Sequence, residues 1–251
     1  MKKFFLLLLT ASSLMSCYHV YYAPNTPTAP LFSEKDEMRV NALYATGNES
    51  EYNGGELQVA YAVTGNWGVL FNGFAVGRSE LVDGVNTQSG KGTYAEFGAG
   101  YFIQMDQKGQ WIFETYGGFG GGNVKNEYSY GDRSRVGITK FYLQPAIGYK
   151  SKHFEFAFIT RVAYVNWKVK QQMVGSNVEN QWVLDDMVRI RSKPGNFSFE
   201  PALILRAGGK SVKAHAGLTF RRGNYLADDL TEHLNASLGL SFSFSTRKNK
   251  S

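Results

Sequence analysis

Glu56, Glu96, Glu114, Glu155 and Glu200 each stand at an alternate position of an apolar segment, and so do Arg161, Arg206, Lys213 and Arg221. Carboxylates held close together can do general acid–base chemistry; carboxylates facing guanidinium or ammonium groups can instead neutralise one another. If these residues share a narrow interior, side chains must fill it, and buried charge is tolerated there only when paired. The expected arrangement is therefore an internal ion-pair network. A conducting polar lumen and a catalytic carboxylate pair are the alternatives.

A second set of reactive types is Asp228, Asp229 and His233, with Asp185 and Asp186 upstream. Asp and His at a barrel rim is the equipment of an omptin-like protease, but the spacing here matches no such motif, and carboxylates in polar loops are ordinarily solvated. His215 lies between Lys213 and Gly217 on the charged face and is expected to hydrogen-bond inside rather than serve as an acyltransfer base. No His, Cys or Asp positions have metal-ligand spacing, so neither metal nor cofactor is expected. Gly117, Gly118, Gly120, Gly121 and Gly122 are not a phosphate loop, because Asn123-Val124-Lys125 continues a strand where a helix would have to start. They are expected to make room for bulky neighbours. The longest connection, 168–195, carries Trp182, Asp185, Asp186, Arg189 and Arg191. It is the candidate surface for binding a surface glycan, lipopolysaccharide or a host protein; a mobile solvated loop is the alternative.

The elements that must position these residues follow from composition and period. The chain has 251 residues with 28 Gly, 18 Phe, 15 Tyr, 6 Pro and 1 Cys. Abundant Gly and aromatics favour strands and turns, and a lone Cys excludes an internal disulfide framework. The formal charge of +6 is spread along the chain, which argues against nucleic acid as a partner. From Met38 onward apolar residues recur at every second position, as in Leu234, Ala236, Leu238, Leu240, Phe242 and Phe244. Strands are predicted at 38–45, 55–64, 68–78, 92–105, 111–124, 135–150, 154–167, 196–208, 211–222 and 233–245. Many reach the length that crosses a membrane as a tilted strand. Their apolar faces carry no charge, whereas the opposite faces also hold Arg39, Arg78, Lys140 and Lys150.

Tight connections around 65–67, 106–110, 151–153 and 209–210 alternate with long polar ones. Short turns on one side and long loops on the other mark a membrane barrel. The fold class expected is an all-β, ten-stranded antiparallel up-and-down transmembrane β-barrel, spanning 38–245. Leu203 should then face lipid and Ile204 the lumen, where charge beside Glu200 and Arg206 would be accommodated. A soluble lipocalin-like periplasmic binder has the same alternation with the faces exchanged. Trp111, Tyr149, Phe154 and Phe242 near the turns, and Tyr44, Tyr164 and Phe197 near the loops, fit two interfacial belts. Pro145 and Pro201 fall inside predicted strands, and each is expected to mark a β-bulge.

Before the barrel, Lys2-Lys3 followed by Phe4 to Leu9 reads as an export signal, residues 1–16. Leu14-Met15-Ser16-Cys17 resembles a lipobox, which implies a diacylglyceryl group on Cys17. Residues 17–37 carry Pro24, Pro27 and Pro30 and are expected to form an extended, lipid-anchored tether, its lipid facing the periplasm; 246–251 is a polar tail. The string Ala23-Pro24-Asn25-Thr26-Pro27-Thr28-Ala29-Pro30-Leu31-Phe32-Ser33-Glu34-Lys35-Asp36-Glu37 resembles the N-terminal region of small outer-membrane β-barrel lipoproteins of Bacteroidetes-type bacteria. The resemblance implies an outer-membrane location in a Gram-negative cell envelope, and no known activity. The expected role is structural or surface-binding; a porin-like channel and an omptin-like or acyltransferase membrane enzyme are the alternatives.

Overall fold

In a computed structural model, residues 20–47, 52–82, 86–173, 181–223 and 230–245 are described. The leader, Cys17, Asp228, Asp229 and the tail at 246–251 lie outside them. Ten long strands follow in order: β1 (Glu37–Gly47), β2 (Asn53–Ala62), β3 (Trp67–Val82), β4 (Asn86–Gln104), β5 (Trp111–Glu127), β6 (Arg133–Lys150), β7 (Phe154–Met173), β8 (Gly195–Gly208), β9 (Val212–Phe220) and β10 (Leu234–Ser245). Arg222–Gly223 continue β9 beyond Arg221 and still pair with β8. Every strand pairs antiparallel with the next, and β1 pairs with both β2 and β10, so the sheet closes without an edge. Closure leaves no strand edge unpaired, which a sheet surrounded by hydrocarbon requires.

The period-two pattern sets the two faces. Along β7, Glu155, Ala157, Ile159, Arg161, Ala163 and Val165 point inward, while Phe154, Phe158, Val162 and Tyr164 point out. Leu203 is 41% exposed on the outside and Ile204 is 0% exposed on the inside. The outer wall is thus an exposed apolar band that includes Leu57, Phe97, Phe119, Phe141, Leu143, Leu218, Leu238 and Leu240. At the mouth formed by the short turns, Trp67 stacks edge-on against Tyr101, and Trp111 against Tyr149 and Phe156; at the other mouth Tyr164 meets Phe197. No helix among the described residues is long and apolar enough to cross a membrane, which says nothing of strands.

Three local expectations are corrected. Connection 168–195 is not one loop: β7 runs on to Met173, and α1 (Gln181–Ser192) follows. Its Val183, Met187 and Ile190 recur at helical spacing and are buried, so the helix lies over the long-loop mouth on its apolar stripe. Neither Pro145 nor Pro201 carries a register shift. Pairing drops out on one side of each, at Gln144 and Pro145 toward β7 and at Glu200 and Pro201 toward β9, and resumes in the same register. A missing N–H removes a hydrogen bond without requiring an extra residue. The slip in β6 falls between Arg135 and Val136 instead.

The largest correction concerns residues 20–36. They are extended, as three prolines favour, but they are not a tether outside the barrel. Tyr21, Tyr22, Asn25, Thr26, Thr28, Ala29, Leu31 and Phe32 are all buried, inside the lumen. The segment begins among the long loops, where the Tyr21 amide donates to the Leu230 carbonyl and the Glu232 amide to that of Tyr22. It ends at the short-turn mouth, where the Asp36 amide donates to the Ala62 carbonyl. There the chain reverses into β1, whose Glu37 pairs with Ser245 at the end of β10.

Candidate functional site

An extended segment alone inside a barrel has no partner strand, so its backbone groups must find side chains. Pro24, Pro27 and Pro30 reduce the need by removing three N–H donors. The wall supplies the rest. Glu56 accepts from the amide (3.0 Å) and hydroxyl (3.0 Å) of Thr26, and Gln58 Nε2 donates to the Thr26 carbonyl at 2.9 Å. Gln144 Nε2 donates to the carbonyl of Thr28, and an Arg206 Nη to that of Ala29, both at 2.8 Å. The Leu31 amide donates to Glu114 at 3.0 Å. Leu31 has φ 52°, a left-handed conformation that costs a branched residue energy. That hydrogen bond and packing against Ile112, Ala146 and Ile159 hold it there.

The inward charges fall into two clusters. Toward the long loops, Lys140 lies 2.9 Å from Glu96 and 3.3 Å from Glu200, and Arg161 lies 3.4 and 3.7 Å from the same two carboxylates. The inner segment completes this cluster. Tyr22 Oη donates to Glu200 at 2.6 Å and accepts from Lys140, while Asn25 donates to Glu96 and accepts from both Lys140 and Arg161. The Arg161 guanidinium also lies 4.7 Å from the Tyr142 ring centre, and the Lys140 ammonium 5.6 Å from that of Tyr94. These rings account for the inward glycines Gly118 and Gly120. A Cβ at Gly118 would stand 2.5 Å from Tyr142 Oη, and one at Gly120 would stand 2.3 Å from Tyr94 Oη. Inward glycines on β5 leave the space in which the two tyrosines cover the cations.

Toward the short turns, Glu155 is the centre. Arg39 approaches it at 2.7 Å, Arg206 at 3.1 Å and Lys213 at 3.2 Å. His215 Nδ1 accepts from Arg206 Nε at 3.3 Å, an interior hydrogen-bonding role. Below this cluster Phe32 tilts against Phe102 at 5.5 Å in a group with Ala60, Leu70 and Tyr116, and Ser33 accepts from Gln104 Nε2 at its carbonyl (2.8 Å) and from Lys150 Nζ at its hydroxyl (2.9 Å).

Of the nine lumen residues singled out in the sequence, Glu96, Glu155, Glu200, Arg161, Arg206 and Lys213 are thus brought into ion pairs. Glu56 and Glu114 are buried but take hydrogen bonds from the inner segment. Arg221 is buried, donates to Thr231 and lies 5.7 Å from the Tyr22 ring centre. Ile204 does face the lumen, yet it lies among Ala29, Leu31 and Ala202, an apolar setting that would not accommodate a charge.

The rim residues separate. Trp182 packs edge-on against Tyr128, and Asp186 accepts a hydrogen bond from Tyr21 Oη, so both face the barrel. Arg189 is half-buried, Asp185 is exposed, and Arg191 is exposed and donates to Gln172. His233 is half-buried at the start of β10. No group of three or more His, Cys, Asp or Glu among the described residues could hold a metal.

Sequence reasoning did not place Tyr22, Asn25, Thr26, Leu31 or Phe32 at the site. The available signal was chemical: apolar Tyr21-Tyr22 and Leu31-Phe32 at either end of a proline string are poorly suited to a solvated tether.

No known protein family and no curated protein matches the chain in sequence. Among solved structures it is similar to the KdgM porin in complex with disordered oligogalacturonate, at 9% identity over 83% of this chain and 99% of that one, with TM-score 0.33. It is also similar to the NanC porin, at 15% identity over 82% and 98%, with TM-score 0.34. A third is outer-membrane expressed OmpT of Vibrio cholerae, at 13% identity over 94% and 74%, with TM-score 0.30.

Proposed function

We propose that this chain is an outer-membrane β-barrel of a Gram-negative bacterium, anchored additionally by lipid on Cys17, whose lumen is closed by its own residues 20–36. Its role is structural or surface-binding. The observation that carries this reading is the completion of the Glu96–Glu200–Lys140–Arg161 cluster by Tyr22 and Asn25. A segment that only happened to lie in a pore would not supply the hydrogen bonds that two buried ion pairs need. The apolar outer wall supports the membrane setting, since burying it in lipid satisfies surface that water would leave exposed. Binding at the external face, to a surface glycan, lipopolysaccharide or another protein, falls to the outer side of α1, where Asp185, Val188 and Arg191 are exposed. Trp182 and Asp186 are engaged with Tyr128 and with the inner segment.

Planar-bilayer recording tests the closure. The full-length mature protein is expected to give no steady unitary conductance. Steady steps from that protein would overturn the closed reading and establish a porin-like channel.

A further inference from the structure

The direction in which the inner segment runs decides which side of the membrane its start lies on. With ten strands, the first and last begin and end at the same mouth, and Glu37 opposite Ser245 shows this to be the short-turn mouth. That parity alone would bring the preceding chain in from the same side as the C-terminus. The chain instead reverses at Asp36 and crosses the whole lumen before reaching Val20. At the far mouth Tyr21 bonds to Leu230, Tyr22 bridges to Thr231, and Tyr21 and Tyr22 pack with Met187 and Ile190 of α1. These contacts fix Val20 among the long loops.

From Val20 back to Cys17 the chain has three more peptide links, a reach of at most about 10 Å. The apolar band of a membrane barrel is about 25 Å tall, so those residues cannot lead back to the opposite interface. A return along the outer wall would place unpaired backbone in hydrocarbon. A return through the lumen would need space that the inner segment and its ion clusters fill.

We propose that the mature N-terminus leaves the barrel through the long-loop mouth, so that the acyl chains on Cys17 sit in the external leaflet and the chain is a surface lipoprotein threaded through its own barrel. This rests on the outer-membrane reading and on acylation of Cys17. It reverses the expectation of a periplasm-facing lipid. It also requires the barrel to close around residues 20–36 during assembly, because wall side chains surround that segment on all sides.

The experiment places one epitope between Cys17 and Val20 of the full chain and another, separately, after Ser251. Antibody binding is compared on intact and permeabilised cells, for proteins shown to keep a folded, heat-modifiable band. The N-terminal epitope is expected to be stained on intact cells, and the C-terminal epitope only after permeabilisation. An N-terminal epitope hidden until permeabilisation, or a C-terminal one open on intact cells, would overturn the threading. The smaller substitution Val20→Cys, labelled with a membrane-impermeant maleimide, repeats the measurement without an insertion; labelling on intact cells supports threading, and labelling confined to permeabilised cells overturns it. Metabolic labelling with palmitate, lost in Cys17→Ser, checks the anchor separately. No incorporation into the unaltered chain would overturn the lipid, whichever face the epitope is found on.

Discussion

In the long-loop half of the lumen, Glu96 and Glu200 share Lys140 and Arg161, and Tyr22 and Asn25 of the inner segment bond to all four. In the short-turn half, Glu155 alone faces Arg39, Arg206 and Lys213, and the segment contributes mainly Ala29, Leu31 and Phe32 to apolar packing. The same run of residues is therefore held by a shared network of charges at one end. At the other it is held by apolar packing with single hydrogen bonds between Ala29 and Arg206, between Leu31 and Glu114, and between Ser33 and each of Gln104 and Lys150. Each charge in the upper network has more than one partner, so its dependence is spread. The lower cluster concentrates three cations on one carboxylate.

The largest loss of stability is expected at that carboxylate. Glu155→Gln leaves three buried cations without their common anion, and is expected to cost about 3–5 kcal/mol of folded barrel. Glu96→Gln should cost less, because Glu200 still faces both Lys140 and Arg161. Urea unfolding in detergent micelles, followed by tryptophan fluorescence, ranks the two; equal losses would mean that the clusters are not organised differently. Phe32→Ala should fall in a similar range, about 3–5 kcal/mol, because it empties a packed site against Phe102 and Tyr116. The same titration reads it.

The wall sharpens the contrast between inside and outside. Leu203→Arg puts a charge near mid-strand on the apolar outer face and is expected to cost about 2–4 kcal/mol in lipid. Phe154→Arg, at the short-turn rim, should cost about 0–1 kcal/mol. Heat-modifiability gels of protein refolded into vesicles measure the folded fraction of each. Within the upper network the effect should be smaller than at Glu155. Tyr22→Phe removes the hydroxyl that donates to Glu200 and accepts from Lys140; those two still pair with each other, Glu200 keeps Ser198, and the expected cost is about 1.5–3 kcal/mol. A loss as large as that of Glu155→Gln would show that the upper network is not shared.

The wall was legible because a strand in a closed sheet repeats every second residue, and each charge on the inner face then reads as a lumen charge. Strand positions, the inward side of Glu155 or Arg161 and the outward side of Leu203 all follow from that period. The inner segment was not legible for the same reason: a lone extended chain with no partner strand has no period to read. Its prolines indicate extension but not location. Glu56 and Glu114 looked like members of ion pairs because sequence shows a carboxylate and not its donor, and here the donors are backbone amides of Thr26 and Leu31. In α1 the signal was present, since Val183, Met187 and Ile190 recur at helical spacing, but the surrounding charges masked it. At Pro145 and Pro201 a lost donor does not require an inserted residue, because the sheet tolerates the loss in register.

The occupied lumen is tested most directly by joining the segment to the wall. Thr26 Cγ2, which marks one position open to a sulfur on that residue, lies 3.1 Å from where a Cβ on Gly217 would be, within reach of an S–S bond once the Ser237 hydroxyl, 2.6 Å from that Cβ, turns away. Thr26→Cys with Gly217→Cys, in a chain carrying Cys17→Ser, should form an intramolecular crosslink on oxidation, seen as a shift on non-reducing gels and absent from either single variant. A folded, heat-modifiable double variant that stays reduced under those conditions would contradict the account and place residues 20–36 outside the barrel.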